Sequence, residues 1–271
     1  MRTRTALSSL VLAAATLLLA TGIGARGFRK AAPAPSRQVT VAAAADLKFA
    51  LDDLVAAFRI GHPEISVTVS YGSSGNFFAQ LSEHAPFDLF FSADAEYPRK
   101  LARQGNALKG SLFLYAVGRL VVWVPRSSSL DVEKLGISAL MQPSVRRIAI
   151  ANPTHAPYGR AAAAALRSLG VSEALRDKLV LGENVAQAAQ FVQSGSADAG
   201  IIALSLAIAP AMKGEGRFWV VPLDSYPGIE QGGVVLKWAR DPTSALALRE
   251  FALAPEGRDI LRRYGFFLPG N

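Results

Sequence analysis

The chain has 271 residues, of which 51% are hydrophobic and 18% charged, and it has no cysteine. That much apolar material supports real cores and excludes a disordered or acidic solvating chain, while the missing cysteine excludes disulfides, thiolate metal sites, iron–sulfur clusters and a cysteine nucleophile. The net charge of +8 lies mostly in residues 1–34; the rest carries 24 basic against 21 acidic residues, without the Lys/Arg cluster of a nucleic-acid footprint.

Arg2 and Arg4 precede an apolar stretch from Ala6 to Ile23, followed by the small residues Ala25, Ala32 and Ala34. A basic start, an apolar core and small residues make a secretory signal, so residues 1–34 are expected to be a signal peptide and the body to be exported. With no cysteine after the core, a lipoprotein anchor is excluded.

After a Pro/Ala/Ser linker, Gln38 to Val41 reads as a strand. Leu47, Ala50, Leu51, Leu54, Val55 and Phe58 then recur as the stripe of an amphipathic helix, with Asp46 where an N-cap belongs and Gly61 and Pro63 as its end. Ile65 to Val69 alternates as a strand, Tyr71 to Gly75 is a turn, and Phe77, Leu81 and His84 fall on one face of a short helix. Phe87 to Phe91 is a strand buried on both faces.

The second half repeats this grammar. Arg147 to Ile150 is a strand, Asn152 to Gly159 a loop and Ala161 to Leu169 a helix; Lys178 to Leu181 is a strand, Gly182 to Asn184 a turn and Val185 to Val192 a helix; Asp198 to Ile202 is a strand. Strands alternating with helices build mostly parallel sheets, so two such halves imply two α/β lobes. The apolar runs Leu112 to Pro125 and Gly233 to Trp238 are expected to cross between them, which divides the body into lobe 1 (residues 38–117 plus 235–271) and lobe 2 (residues 118–234). Two crossings around a cleft make a hinge that closes on a ligand.

Four strand-to-helix turns are candidate chemistry: Ala45-Asp46, Ser73-Ser74-Gly75, Pro157-Tyr158-Gly159 and Asn184-Val185. Each places free backbone N–H groups and a positive helix end at the carboxyl end of a strand, where α/β folds bind ligands. Facing one cleft, they would form an anion site, with Ser73 and Ser74 adding hydroxyls. No Gly-x-Ser-x-Gly elbow or phosphate-binding Gly-x-x-x-x-Gly-Lys-Ser/Thr loop is present, so an enzyme would have to rely on His155 as a base near Tyr158.

At these turns the sequence resembles the periplasmic molybdate-binding proteins, the receptors of molybdate ABC importers. The resemblance rests on Val41 to Leu47, Tyr71 to Gly75, Ala85 to Asp94, Ala149 to Gly159, Gly182 to Val185 and Pro255 to Gly265, in family order. It implies a type II periplasmic binding protein fold, in which two α/β lobes hold a tetrahedral oxyanion, molybdate or tungstate, with neutral donors. It further implies no cofactor, no catalysis, a membrane permease of an ABC importer as partner, and a monomer in the periplasm. By position, the ligand-binding residues are Ala45, Asp46, Ser73, Ser74, Tyr158 and Val185: Ser74 falls on a hydroxyl donor and Val185 on a backbone donor. Ala203 stands where some members place a tyrosine, which fits the branch that has tyrosine at the Tyr158 position.

Asp46 departs from the family, which has serine there or a Thr-Asn pair across the Ala45 and Asp46 positions. One unit-charge pair 4 Å apart at an effective dielectric of 20 is worth about 4 kcal/mol, so a dianion facing an ionised Asp46 would lose about twice that. Three arrangements resolve the conflict. Asp46 caps its own helix and offers only its backbone; it accepts a proton from a protonated oxyanion; or the ligand is another small anion or polar solute, with Asp46 as a direct acceptor. The cap reading is preferred, because it explains an aspartate there without any ligand. A periplasmic hydrolase or transferase with His155 as base is the rival from another class.

Overall fold

The computed structural model describes residues 37–269; the expected signal peptide lies outside them. In chain order the strands are β1 Arg37–Ala44, β2 Ile65–Gly72, β3 Leu89–Ser92, β4 Phe113–Gly118, β5 Leu120–Pro125, β6 Ile148–Ala151, β7 Leu179–Gly182, β8 Ala199–Ala203, β9 Gly216–Val220 and β10 Ile229–Val235. The helices are α1 Lys48–Gly61, α2 Ser74–Ser82, α3 Glu96–Arg103, α4 Val132–Leu135, α5 Pro157–Ser168, α6 Ser172–Leu175, α7 Val185–Gln193, α8 Leu204–Ala207, α9 Pro242–Leu253 and α10 Pro255–Arg263. A 3-10 turn, Ala45–Leu47, joins β1 to α1.

The strands form two five-stranded sheets, ordered β2-β1-β3-β10-β4 and β7-β6-β8-β5-β9. In the first sheet β1 runs parallel to β2 and β3, and β10 is antiparallel to both its neighbours. The second sheet has the same plan: β6 is parallel to β7 and β8, and β5 is antiparallel to β8 and β9. The internal repetition in the sequence is therefore two copies of one sheet plan. Each sheet takes as its fourth, antiparallel strand the one that enters from the other half of the chain, which ties the lobes together.

The inner parallel strands are buried on both faces: all four residues of β3 and of β6 and all five of β8. Helix α1 lays Ala50, Leu51, Leu54 and Phe58 on the first sheet, as the stripe predicts. The C-terminal helices α9 and α10 complete the same core through Leu248, Ala252, Ile260 and Leu261. Asp88 pins this lobe: its carboxylate accepts from the Thr40 N–H (2.6 Å), the Thr40 hydroxyl (2.7 Å) and the Arg240 N–H (2.7 Å).

Two local expectations change. The chain leaves the first sheet between Gly118 and Leu120, but it returns before Ile229, not along Gly233 to Trp238. Residues 229–234 therefore belong with the first sheet, outside the range 118–234 expected for lobe 2. The Gly232-Gly233 pair lies in the strand interior, where a Cβ on Gly233 would stand 2.4 Å from the Phe113 ring and 2.5 Å from the Phe90 carbonyl. His84 is not on α2: it takes φ 58° two residues past the helix end and packs its ring on Trp238, 4.6 Å between centroids. Trp238 itself lies in a turn, its indole N–H donating to the Ala85 carbonyl at 3.0 Å.

Candidate functional site: a closed cleft between two sheets

The carboxyl ends of β1, β2, β6 and β7 point toward one another. Each is followed within two or a few residues by a helical turn: Ala45–Leu47 after β1, α2 after β2, α5 after β6 and α7 after β7. Together they line a small cavity, about 200 Å³ of atom-free space counted out to its open mouth. Ala45, Asp46, Ser73, Ser74, Tyr158 and Val185, the six residues expected from the sequence, all line it. A wider groove of about 900 Å³ runs beside Asp94, Arg99, Arg160 and Glu230. Its central charges are paired, Arg160 with Asp94 and Arg99 with Glu230, and Arg167 lines it as an exposed side chain, so it lacks the converging buried donors of the small cavity.

The roles of the six differ. Ser74 opens α2, and its Oγ accepts from the Ala93 N–H at 2.9 Å. That bond fixes the hydroxyl and leaves its proton to donate into the cavity. The backbone N–H groups of Ser74 and Val185, first residues of their helices, have no partner within the helix. Asn184 caps α7 by accepting from the N–H groups of Ala186 and Gln187, both at 3.0 Å, and so sets the direction of the Val185 amide. Ser73 lines the cavity, but its hydroxyl donates to the His155 carbonyl at 2.8 Å, so its side chain acts as a clasp between the lobes.

Asp46 overturns the cap reading. It lies inside the 3-10 turn, and neither that turn nor α1 has a side-chain cap. The residue is 1% exposed. Its Oδ2 accepts from the Gln231 Nε2 at 2.6 Å, while its Oδ1 is buried with no partner. Burial pushes the carboxyl up to about 6, against the downward pull of Gln231 and Tyr158. Lys48, two residues further on, points outward and pairs with Asp52 at 3.3 Å.

Gln231, on β10, was not legible as a site residue. Its Oε1 accepts from the Tyr115 hydroxyl at 2.8 Å, which orients the amide so that Nε2 serves both Asp46 and the Tyr158 hydroxyl (3.2 Å). The Tyr158 oxygen thus accepts from Gln231 and keeps its own proton to donate. Burial, with Asp46 close by, drives the phenols of Tyr158 and Tyr115 well above their usual range, so both remain donors. Gly118, at the crossing, makes room for this cluster: a Cβ there would stand 2.1 Å from the Tyr158 oxygen.

The lobes are closed. Gly75 N–H donates to the His155 carbonyl (3.0 Å), Asn76 Nδ2 to Glu183 Oε1 (2.8 Å), and Arg160 pairs with Asp94 (2.5 Å) across the cleft. The His155 ring, the candidate base, bonds at Nε2 to the Glu183 carbonyl (2.9 Å). Its carbonyl takes the clasp from the other lobe.

Two sheets of one plan, clasped over a small donor-lined cavity, define a receptor that closes around a small solute. The chain belongs to the bacterial extracellular solute-binding protein family, whose match covers residues 39–267. It is similar to the molybdate-binding protein ModA of Rhodobacter capsulatus, 38% identical over 238 residues, which cover 87% of this chain and 90% of that protein. The ModA of Azotobacter vinelandii is 37% identical over 240 residues, 88% and 93% of the two chains. The solved periplasmic molybdate-binding protein of Azotobacter vinelandii superposes with a TM-score of 0.80 at 35% identity, covering 85% of this chain and 99% of that one.

Proposed function

We propose that this protein captures molybdate in the closed cavity and delivers it to the membrane permease of an ABC importer. Tungstate, with the same shape and charge, is expected to bind as well. The protein works in the periplasm, as a monomer and without a cofactor. The observation that carries this reading is the convergence of Ser74, Tyr158 and the first amides of α2 and α7, donors without a fixed positive charge, on one small cavity. Oriented dipoles of that kind favour an anion. The 37–38% identity to ModA proteins over most of the chain supports molybdate as that anion. No helix among the described residues is long and apolar enough to cross a membrane, in keeping with export of the whole body.

The test is a calorimetric and thermal-shift panel of molybdate, tungstate, sulfate, phosphate and small carboxylates. Molybdate and tungstate should bind at one site per chain and raise the unfolding temperature most. Preference for phosphate or a carboxylate would overturn the assignment. One observation favours that second reading: the buried Asp46 Oδ1 lacks a partner and could accept a proton carried by the ligand.

A further inference from the structure

The cavity sets an electrostatic problem that none of its residues solves by charge. Asp46 stands at the carboxyl end of β1, sealed from water, on the wall of the site. From β10 it faces Gln231, from α5 Tyr158, from β4 Tyr115 behind Gln231. From α8 the Ser205 hydroxyl donates to its backbone carbonyl at 2.8 Å. Helix α7, the other element packed on this turn, has no titratable side chain. The nearest cation in sequence, Lys48, is bound to Asp52 on the outer face of α1. The His155 ring is turned to the Glu183 carbonyl. Among the described residues no lysine, arginine or histidine therefore balances Asp46, and a dianion entering the same cavity would meet it directly.

The hydrogen bonds specify where a proton can go. Oδ2 is engaged by the Gln231 amide, whose orientation Tyr115 fixes, so Oδ2 stays an acceptor. Oδ1 is fully buried and has neither donor nor acceptor. We propose that Asp46 takes up one proton from water on Oδ1 as the oxyanion enters, and that the resulting neutral carboxylic acid donates its O–H to the ligand. The O–H bond that forms at Oδ1 replaces one broken in a hydronium ion or a buffer acid, no other covalent bond changes, and the repulsive carboxylate becomes a donor like Ser74 and Tyr158. Oxyanion capture is then linked to proton uptake, and release is favoured where protons are scarce. The carboxyl's raised pKa puts this uptake within reach of neutral pH.

This inference rests on the oxyanion reading, and its test separates the two. Molybdate, which holds no proton of its own near neutrality, is titrated into the full chain by calorimetry at pH 7.5 in Tris and in Hepes, and its affinity is followed from pH 5.5 to 8.5. For the wild type we expect close to one proton taken up per molybdate, an affinity falling about tenfold per pH unit above neutrality, and a levelling below about pH 6. Asp46→Asn should bind molybdate with no proton uptake and a flat profile, and more tightly than wild type at pH 8.5. A dependence arising at His155 would persist in that variant and would overturn the proposal. Tight wild-type binding with no proton uptake and a flat profile would overturn it while leaving the oxyanion reading intact; this arm needs no variant to fold. Failure of both folded proteins to bind molybdate or tungstate at any of these pH values would remove the oxyanion reading itself, and the proposal with it.

Discussion

Gly75 and His155 meet across the cleft so closely that only a glycine fits: the Gly75 N–H reaches the His155 carbonyl at 3.0 Å, and a Cβ on Gly75 would stand 2.4 Å from that same oxygen. The contact ties the first turn of α2, which holds Ser74, to the loop before α5, which holds Tyr158. Closure of the lobes and assembly of the donors are thus one event.

Gly75→Ala should therefore hold the lobes apart without harming either core. We expect molybdate affinity to fall by about tenfold or more, which is about 1.4 kcal/mol, and the scattering radius in saturating molybdate to remain larger than that of the wild-type complex. Wild-type contraction in the variant would show that the clasp does not govern closure.

Ser74→Ala removes a hydroxyl whose oxygen holds the Ala93 N–H and whose proton is free for the ligand. Loss of a hydrogen bond to a charged group should cost about 1.5 to 3 kcal/mol of binding. A smaller loss of stability should accompany it, because a buried N–H loses its acceptor. Val185→Ala should change affinity little, since its part is the backbone amide. Paired titrations check this; equal and negligible effects would remove Ser74 from the site.

Much of this was legible because the signals were local. The apolar stripe of α1, the all-apolar strands β3 and β8, and the turns after β1, β2, β6 and β7 each declare themselves within a few residues. The site residues lay in those turns. What could not be read was long-range. Gln231 is 185 positions from Asp46, and nothing local marks it as that carboxylate's partner. Asp46 sits where an N-cap belongs, and the cap reading failed because a 3-10 turn intervenes and turns the carboxyl inward. Gly118 gave no sign that its missing side chain seats the Tyr158 hydroxyl.

That seat gives a reciprocal test. In Gly118→Ala the new methyl would stand 2.1 Å from the Tyr158 oxygen and 2.8 Å from Gln231 Nε2, both buried and unable to swing clear. Overpacking of this kind costs about 1 to 3 kcal/mol. Tyr158→Phe removes the closest clashing oxygen while the Gln231 contact remains, so the double variant should recover part of the lost stability while binding molybdate weakly. Denaturant unfolding and calorimetry on the two single variants and the double variant measure the coupling; additive stability losses would refute the clash.

The unliganded protein should also carry Asp46 as a pH-dependent cost. Its carboxyl rises from the ordinary 3.8 to about 6 on folding, with burial the leading cause. A native state that holds its proton more tightly than the unfolded chain is most favoured, in this term, below the unfolded value, and the contribution is lost as pH rises through the folded one. A rise of this size corresponds to about 3 kcal/mol at neutral pH. Asparagine keeps an acceptor for Gln231 and has no charge to bury. Asp46→Asn should therefore stabilise the ligand-free protein by up to about 3 kcal/mol at pH 7.5, with the advantage shrinking between pH 6 and 4 and gone below that. Denaturant unfolding of both proteins at pH 4, 5, 6 and 7.5 reads the difference, and other titrating groups common to both cancel. A stability difference that stays constant across the series would mean that Asp46 is not buried as a carboxylate in the free receptor.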